Sequence, residues 1–312
     1  MADKTCILRI EKISIRDGNG MRTVVFFKGC PLRCAWCSTP ESHKTGPEIG
    51  YQASKCMRCG RCIRKCPEGA LRQNTEGFVI RDQEKCTSCM RCTKVCPPHA
   101  MKCYGTYMTV GEAMKIILRD TVFYYHSGGG VTLSGGDVLL HSEFAEELLK
   151  ECKDSALNTT IETELYGDFQ RIEKLVPWLD TWHVDIKAMD PAVHEKWTGV
   201  GNDGILSNLR RLDGLLSGKK IYIRVPLIPG INTDRENIIR TYELVRELKS
   251  VIQLEFLPYH ILGRDTYKYL DRPYPLQDLD SMSRDDARDI LDGIELPDAG
   301  VPVLIDGELY SQ

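Results

Sequence analysis

The sequence predicts an α/β fold, a partial, open (β/α)6 barrel of the TIM type interrupted by a small cysteine-rich insert, and three observations predict it. From about residue 105 onward, short β-branched and apolar runs alternate with amphipathic stretches. Such alternation builds a parallel sheet. With the run at 23–27 included, about six βα units appear, too few for the closed eight-stranded barrel. Residues 51–103 break the pattern, being compact, basic and rich in cysteine. The barrel is therefore expected from 1–50 and 104–312, with 51–103 inserted.

Each element has its own warrant. The run Thr23-Val24-Val25-Phe26-Phe27 is an apolar strand that leads straight into the first cysteine group. Further strands are expected at 131–134, 159–162, 181–185, 221–225 and 253–256. Helices are expected at 141–153, 168–177, 204–217 and 234–249. In the first of these, Phe144, Leu148 and Leu149 share one face. A doubly wound open sheet has the same alternation and remains the alternative. In both architectures the working site lies at the C-terminal ends of the strands. Cys30, the Gly135-Gly136 pair, Glu162, Asp185 and Lys187 all fall at or just after an expected strand end, so they should meet at one mouth.

Composition narrows the function. The chain has 312 residues, 42% of them hydrophobic, enough for one large core and against disorder. A net charge of −3 gives no basic field for nucleic acid. No run reaches the ~18 apolar residues of a membrane span, and MADKTCILRIEK has no apolar signal core. A cytoplasmic monomer is expected. Of fourteen cysteines, eleven fall into three tight groups. In a long chain without an export signal, such groups read as metal ligands rather than disulfides. Cys6, Cys103 and Cys152 have no partner spacing and are expected to be ordinary thiols.

Two of the groups repeat with a 30-residue offset. Cys56, Cys59, Cys62 and Cys66 precede Pro67; Cys86, Cys89, Cys92 and Cys96 precede Pro97. This is the spacing of bacterial two-cluster ferredoxins, in which the fourth cysteine of each run ligates the other cluster. Cys56, Cys59, Cys62 and Cys96 are thus expected to hold one 4Fe-4S cluster, and Cys86, Cys89, Cys92 and Cys66 a second. Zinc sites rarely use four cysteines per run, twice over, each followed by proline. The insert reads as ferredoxin-like, its clusters serving either as an electron relay or as a structural support.

The remaining group, Cys30-x3-Cys34-x2-Cys37, offers only three thiolates. They suit three irons of a third 4Fe-4S cluster and leave the fourth open, as a reactive site requires.

This loop, with Trp36 as its aromatic, resembles the signature of the radical S-adenosylmethionine superfamily. The resemblance implies that the substrate's amino and carboxylate groups chelate the open iron. Electron injection then breaks the S–C5′ bond and gives methionine and a 5′-deoxyadenosyl radical. The longer stretch SIRDGNGMRTVVFFKGCPLRCAWCSTPES resembles the opening of the glycyl-radical-enzyme activating enzymes, in the branch that carries a two-cluster insert. The likeness runs over nearly the whole chain. It implies an anaerobic oxidoreductase that removes a hydrogen atom from a backbone glycine of a large partner enzyme. Flavodoxin or ferredoxin is the implied electron donor.

Further site residues follow from the resemblance. GGGVTLSGGD is similar to the segment that binds the amino group of S-adenosylmethionine, with Gly135 and Gly136 allowing close approach. Asp137 stands where the family usually has Glu. Asp185, Ile186 and Lys187 match the family's Asp-x-Lys, Lys187 facing the ligand carboxylate. Asp185 and Glu162 are implied to hold a monovalent cation. Arg224 is implied to contact ribose or carboxylate, and His260 to lie near the adenosyl group. Ser38 replaces the His of the pyruvate formate-lyase branch. A radical enzyme acting on a small molecule is the competing reading.

Overall fold

The computed structural model describes residues 4–311. In chain order, β1 (Thr5–Ser14) and β2 (Arg22–Phe27) form an antiparallel pair. Four short strands follow: β3 (Glu48–Tyr51), β4 (Leu71–Gln73), β5 (Val79–Arg81) and β6 (Met101–Tyr104). β7 (Thr106–Met108) returns to pair with β1. Then come β8 (Gly130–Gly135), β9 (Asn158–Thr163), β10 (Thr181–Asp185), β11 (Ile221–Leu227), β12 (Val251–Pro258), β13 (Val303–Ile305) and β14 (Glu308–Tyr310).

The main sheet runs β14-β13-β12-β11-β10-β9-β8-β2-β1-β7. From β2 to β13 every neighbouring pair is parallel. Spatial order follows chain order along this stretch, with no reversal. A doubly wound sheet requires a reversal, so this is the singly wound partial barrel. All six expected strands are present. A seventh parallel strand, β13, went unseen because three residues give no readable alternation. β1, in CILRIEK, was missed as well.

Alternation explains which side each residue takes. In β10, Trp182 and Val184 enter the core, while His183 and Asp185 line a cavity. In β11, Ile221, Ile223 and Val225 are core and Tyr222 and Arg224 line the cavity. The core side is covered by helices Ser142–Asp154, Phe169–Leu175, Asp203–Leu215 and Arg235–Glu247, which bury Leu148, Ile172, Leu209 and Val245. Helix starts are set by caps: Asp168 accepts from Gln170 N (3.0 Å) and Asp234 from Asn237 N (3.0 Å). Among the described residues no helix is long and apolar enough to cross a membrane.

The cysteine-rich segment repeats in backbone as well as in sequence. Left-handed residues recur at the same offset: Arg58 and Ser88, Gly60 and Met90, Gly69 and His99. The segment packs against the barrel through Arg81, which donates to Leu270 O (3.3 Å) and pairs with Asp271 (3.1 Å).

Candidate active site

β2 delivers the chain to the three-cysteine loop, and backbone bonds from elsewhere hold that loop. Gly29 N donates to Ser42 O (2.6 Å), Arg33 N to Thr198 O (2.6 Å), and Ala35 N to Trp197 O (2.9 Å). Cys30, Cys34 and Cys37 all border one cavity of about 830 Å³. Burial pushes all three thiols up, Cys37 to about 11, since thiolates are poorly solvated there. Cationic iron reverses that penalty and deprotonates its ligands, so the donor set fits a cluster.

The same cavity is lined by Trp36, Ser38, Gly135, Gly136, Glu162, Asp185, Lys187, Arg224 and His260. The strand ends thus converge as expected. Trp36 is also a packing residue, buried with Tyr259, Tyr267 and Tyr274. Ser38 and His260 are exposed.

Two expected residues stand elsewhere. Asp137 is fully buried beside the cavity rather than in its wall. Its Oδ1 accepts from Leu139 N (3.0 Å) and Thr163 Oγ1 (3.1 Å), capping the turn after β8. Burial first, then the nearby Glu164 carboxylate, raises Asp137 to about 7. Ile186 is core, since it follows Val184 on the apolar side of the chain. The glycines also have a different reason. A Cβ on Gly135 would lie 2.3 Å from Phe27 N, and one on Gly136 would lie 2.0 Å from Gly29 O. The close approach they permit is to the backbone of β2 and the cysteine loop.

The charged residues form one network. Lys187 Nζ donates to Asp185 Oδ2 (2.7 Å) and faces Glu164 Oε1 (3.5 Å). Arg224 donates through Nε to Asp185 Oδ1 (3.1 Å) and through Nη1 to Glu162 Oε1 (2.8 Å). Ser134 Oγ donates to Glu162 Oε2 (2.5 Å). Burial alone would raise Asp185, but Lys187 and Arg224 outweigh it and hold it at about 2. Glu162 is likewise lowered, by Arg224 and His183 against burial. The positive charge between Glu162 and Asp185 is therefore the Arg224 guanidinium, where a monovalent cation was expected.

Glu164 and His183 were missed by sequence reasoning. Glu164 is raised by burial, and its Oε2 is buried with no partner. His183 is lowered to about 4 by burial and then Arg224; neither ring nitrogen has a partner. The signal was period-two alternation: Glu164 follows Glu162, and His183 precedes Asp185, by two residues. An unpaired buried carboxylate oxygen at the wall suits a cationic ligand such as an ammonium or sulfonium.

In the cysteine-rich segment, Cys56, Cys59, Cys62 and Cys96 line one small cavity, and Cys66, Cys86, Cys89 and Cys92 line another. Among the described residues no three His, Cys, Asp or Glu side chains could hold a single metal ion.

Comparison with known proteins identifies the family. A 4Fe-4S dicluster domain profile matches residues 55–101, and a radical SAM superfamily profile matches 83–242. The indoleacetate decarboxylase activating enzyme of Tractidigestivibacter scatoligenes is 40% identical over 301 residues, covering 94% of this chain and 95% of that protein. The (2S)-3-sulfopropanediol sulfolyase activating enzyme of Bilophila wadsworthia is 41% identical over 87% of this chain and 90% of its own. The isethionate sulfite-lyase activating enzyme of Oleidesulfovibrio alaskensis is 39% identical over 86% and 87%. This chain belongs to the glycyl radical enzyme activating enzymes. As an activating enzyme it is a radical SAM oxidoreductase that uses iron–sulfur clusters and S-adenosylmethionine to install a radical on a glycyl radical enzyme. Its likeness to Streptococcus suis SuiB bound to precursor peptide SuiA (TM-score 0.52, 13% identity, 91% of this chain and 48% of that one) shows the fold alone.

Proposed function

We propose that this activating enzyme uses Cys30, Cys34 and Cys37 to ligate the 4Fe-4S cluster that cleaves S-adenosylmethionine. The insert holds two further clusters, with Cys96 crossing to the first run and Cys66 to the second. One observation carries the reading: the three cysteines border the same cavity as the buried network of Glu162, Glu164, Asp185, Lys187 and Arg224. The two four-cysteine cavities support the crossed pairing.

When bound, the three-cysteine cluster supplies the electron that breaks the sulfonium S–C5′ bond. The protein's share is positioning and exclusion. Lys187 binds the ligand carboxylate. Glu164 accepts a hydrogen bond from its amino group. Arg224 orders Glu162 and Asp185 beside the ribose, and His260 and the edge of Trp36 bound the adenosyl end. No residue needs to move a proton, because hydrogen-atom transfer from a glycine Cα requires none. The two flanking amides stabilise the product radical, so transfer from that carbon to a primary alkyl radical runs downhill.

The partner is a glycyl radical enzyme, and the electron donor is flavodoxin or ferredoxin. The test mixes anaerobically reconstituted, dithionite-reduced protein and S-adenosylmethionine with the glycyl radical enzymes served by the relatives, among them indoleacetate decarboxylase and isethionate sulfite-lyase. A doublet glycyl signal by electron spin resonance on one of them is expected. Intact S-adenosylmethionine after reduction would overturn the ligation scheme.

A further inference from the structure

The two halves of the cysteine-rich segment repeat in backbone but differ in charge. Residues 51–67, around the first run, carry Lys55, Arg58, Arg61, Arg64 and Lys65 and no Asp or Glu. Residues 81–97, the same span thirty residues on, set Arg81, Lys85, Arg91 and Lys94 against Asp82 and Glu84. The whole chain is net −3, so a local excess of five positive charges is a marked departure. All five cations are exposed. Arg64 Nη1 donates to Cys59 O (3.4 Å), and Arg58 lies over the Phe78 ring (4.3 Å), so both flank the exposed Cys59. Among these cations stands Met57, 60% exposed and lining the first cavity. An apolar spot rimmed by one sign of charge is the anatomy of a transient protein interface.

The first cavity also faces outward. β3 starts at Glu48, whose carboxylate pairs with Lys28 (3.3 Å) at the end of β2. Ile49, next along, lines the second cavity, and Tyr51, two residues further from the barrel, lines the first. Arg81 donates to Ile49 O and to Leu270 O, fastening that inner side to the barrel.

We propose that the Lys55–Arg58–Arg61–Arg64 face around Met57 is the docking surface for an acidic one-electron carrier protein, so that electrons enter at the first run and leave by the second. This rests on the cluster assignment above. The carrier gives up one electron, a flavodoxin hydroquinone becoming its semiquinone, and the enzyme gains that electron with no bond made or broken. Like-signed charge elsewhere on the acidic barrel turns such a carrier away, while the basic face draws it in.

The test measures binding of oxidised, acidic flavodoxin to the reconstituted enzyme by titration calorimetry between 50 and 300 mM salt. S-Adenosylmethionine cleavage is followed in parallel with photoreduced flavodoxin and with dithionite. Lys55→Glu with Arg61→Glu, neither of which has an assigned partner, should weaken flavodoxin binding at least about tenfold at low salt and flatten its salt dependence. Dithionite-driven cleavage should stay within about twofold. A second-half pair that likewise has no assigned partner, Arg91→Glu with Lys94→Glu, should change binding by less than about threefold. Lys55→Gln with Arg61→Gln should fall between, which separates charge from misfolding. Unchanged binding in the first pair, or a larger loss in the second, overturns the proposal. A wild-type enzyme that binds flavodoxin but leaves S-adenosylmethionine intact with dithionite overturns the cluster assignment instead.

Discussion

Gly136 is where the barrel and the three-cysteine loop press backbone to backbone, and Gly136→Ala tests that contact. The added methyl would sit 2.0 Å from Gly29 O, 2.5 Å from Gly29 C and 3.2 Å from Cys30 N. Those atoms are main chain, so no rotamer change relieves the clash; one strand of backbone must retreat by about 1 Å or more to restore ordinary packing. Two hydrogen bonds lie in the path: Gly136 N to Phe27 O (3.0 Å) and Asp137 N to Gly29 O (2.8 Å). Losing both costs about 1 kcal/mol each. Overpacking adds roughly 1–3 kcal/mol, for a total of about 3–5 kcal/mol. Because Gly29 adjoins Cys30, the shift also pulls one thiolate away from Cys34 and Cys37. Anaerobic reconstitution followed by iron and sulfide analysis should find about four irons fewer than in wild type, one cubane's worth, with the insert's clusters retained. Gly214→Ala, in the helix Asp203–Leu215 with nothing within 4 Å of its new methyl, is the control and should gain up to ~1 kcal/mol. Full iron content and normal S-adenosylmethionine cleavage in Gly136→Ala would refute the reasoning.

Three other outcomes are expected. Arg224→Met leaves Glu162 and Asp185 without their shared donor; breaking such a buried pair costs about 3–5 kcal/mol, read as a lowered Tm and weakened S-adenosylmethionine binding, and an unchanged Tm would contradict the network. Cys56→Ser with Cys96→Ser should remove about four irons, and Cys56→Ser with Cys66→Ser about eight, because ligation crosses the repeat; sequential ligation would reverse the two results. His43, whose Nε2 is buried without a partner, is lowered to about 4 by burial and then by Arg33. A histidine with a depressed folded pKa stabilises fully above its unfolded value near 6.5 and loses that contribution as pH falls toward 4. Wild type should therefore lose about 1 kcal/mol from this group between pH 6.5 and 5.5, and His43→Phe, which keeps the edge contact with Tyr267, should show a shallower fall in Tm over that range.

Much of the machinery was legible in one dimension. Thiolate spacing is a local property: the reach of a tight loop sets which irons it can cap, so all eleven ligand candidates and the 30-residue repeat were visible before any folding. Strand ends were visible too, because period-two alternation marks the inward residues, and His183 and Glu164 carry that same signal. β13 was invisible because three residues next to Pro302 form a strand only by pairing with β12 on one side and β14 on the other.

The chain alone determined the grouping of its cysteines, six of the seven parallel strands and the mouth at which those strand ends meet, because each follows from short-range spacing. Tertiary packing decided the rest. Asp137 became a buried turn cap and Ile186 a core residue because of what surrounds them. Arg224 became the positive charge between two carboxylates from β9 and β10, strands that lie 62 and 39 residues away from it along the chain. Pairings across such distances are set by how strands are laid side by side, and no local pattern in the residues records which charge will face which.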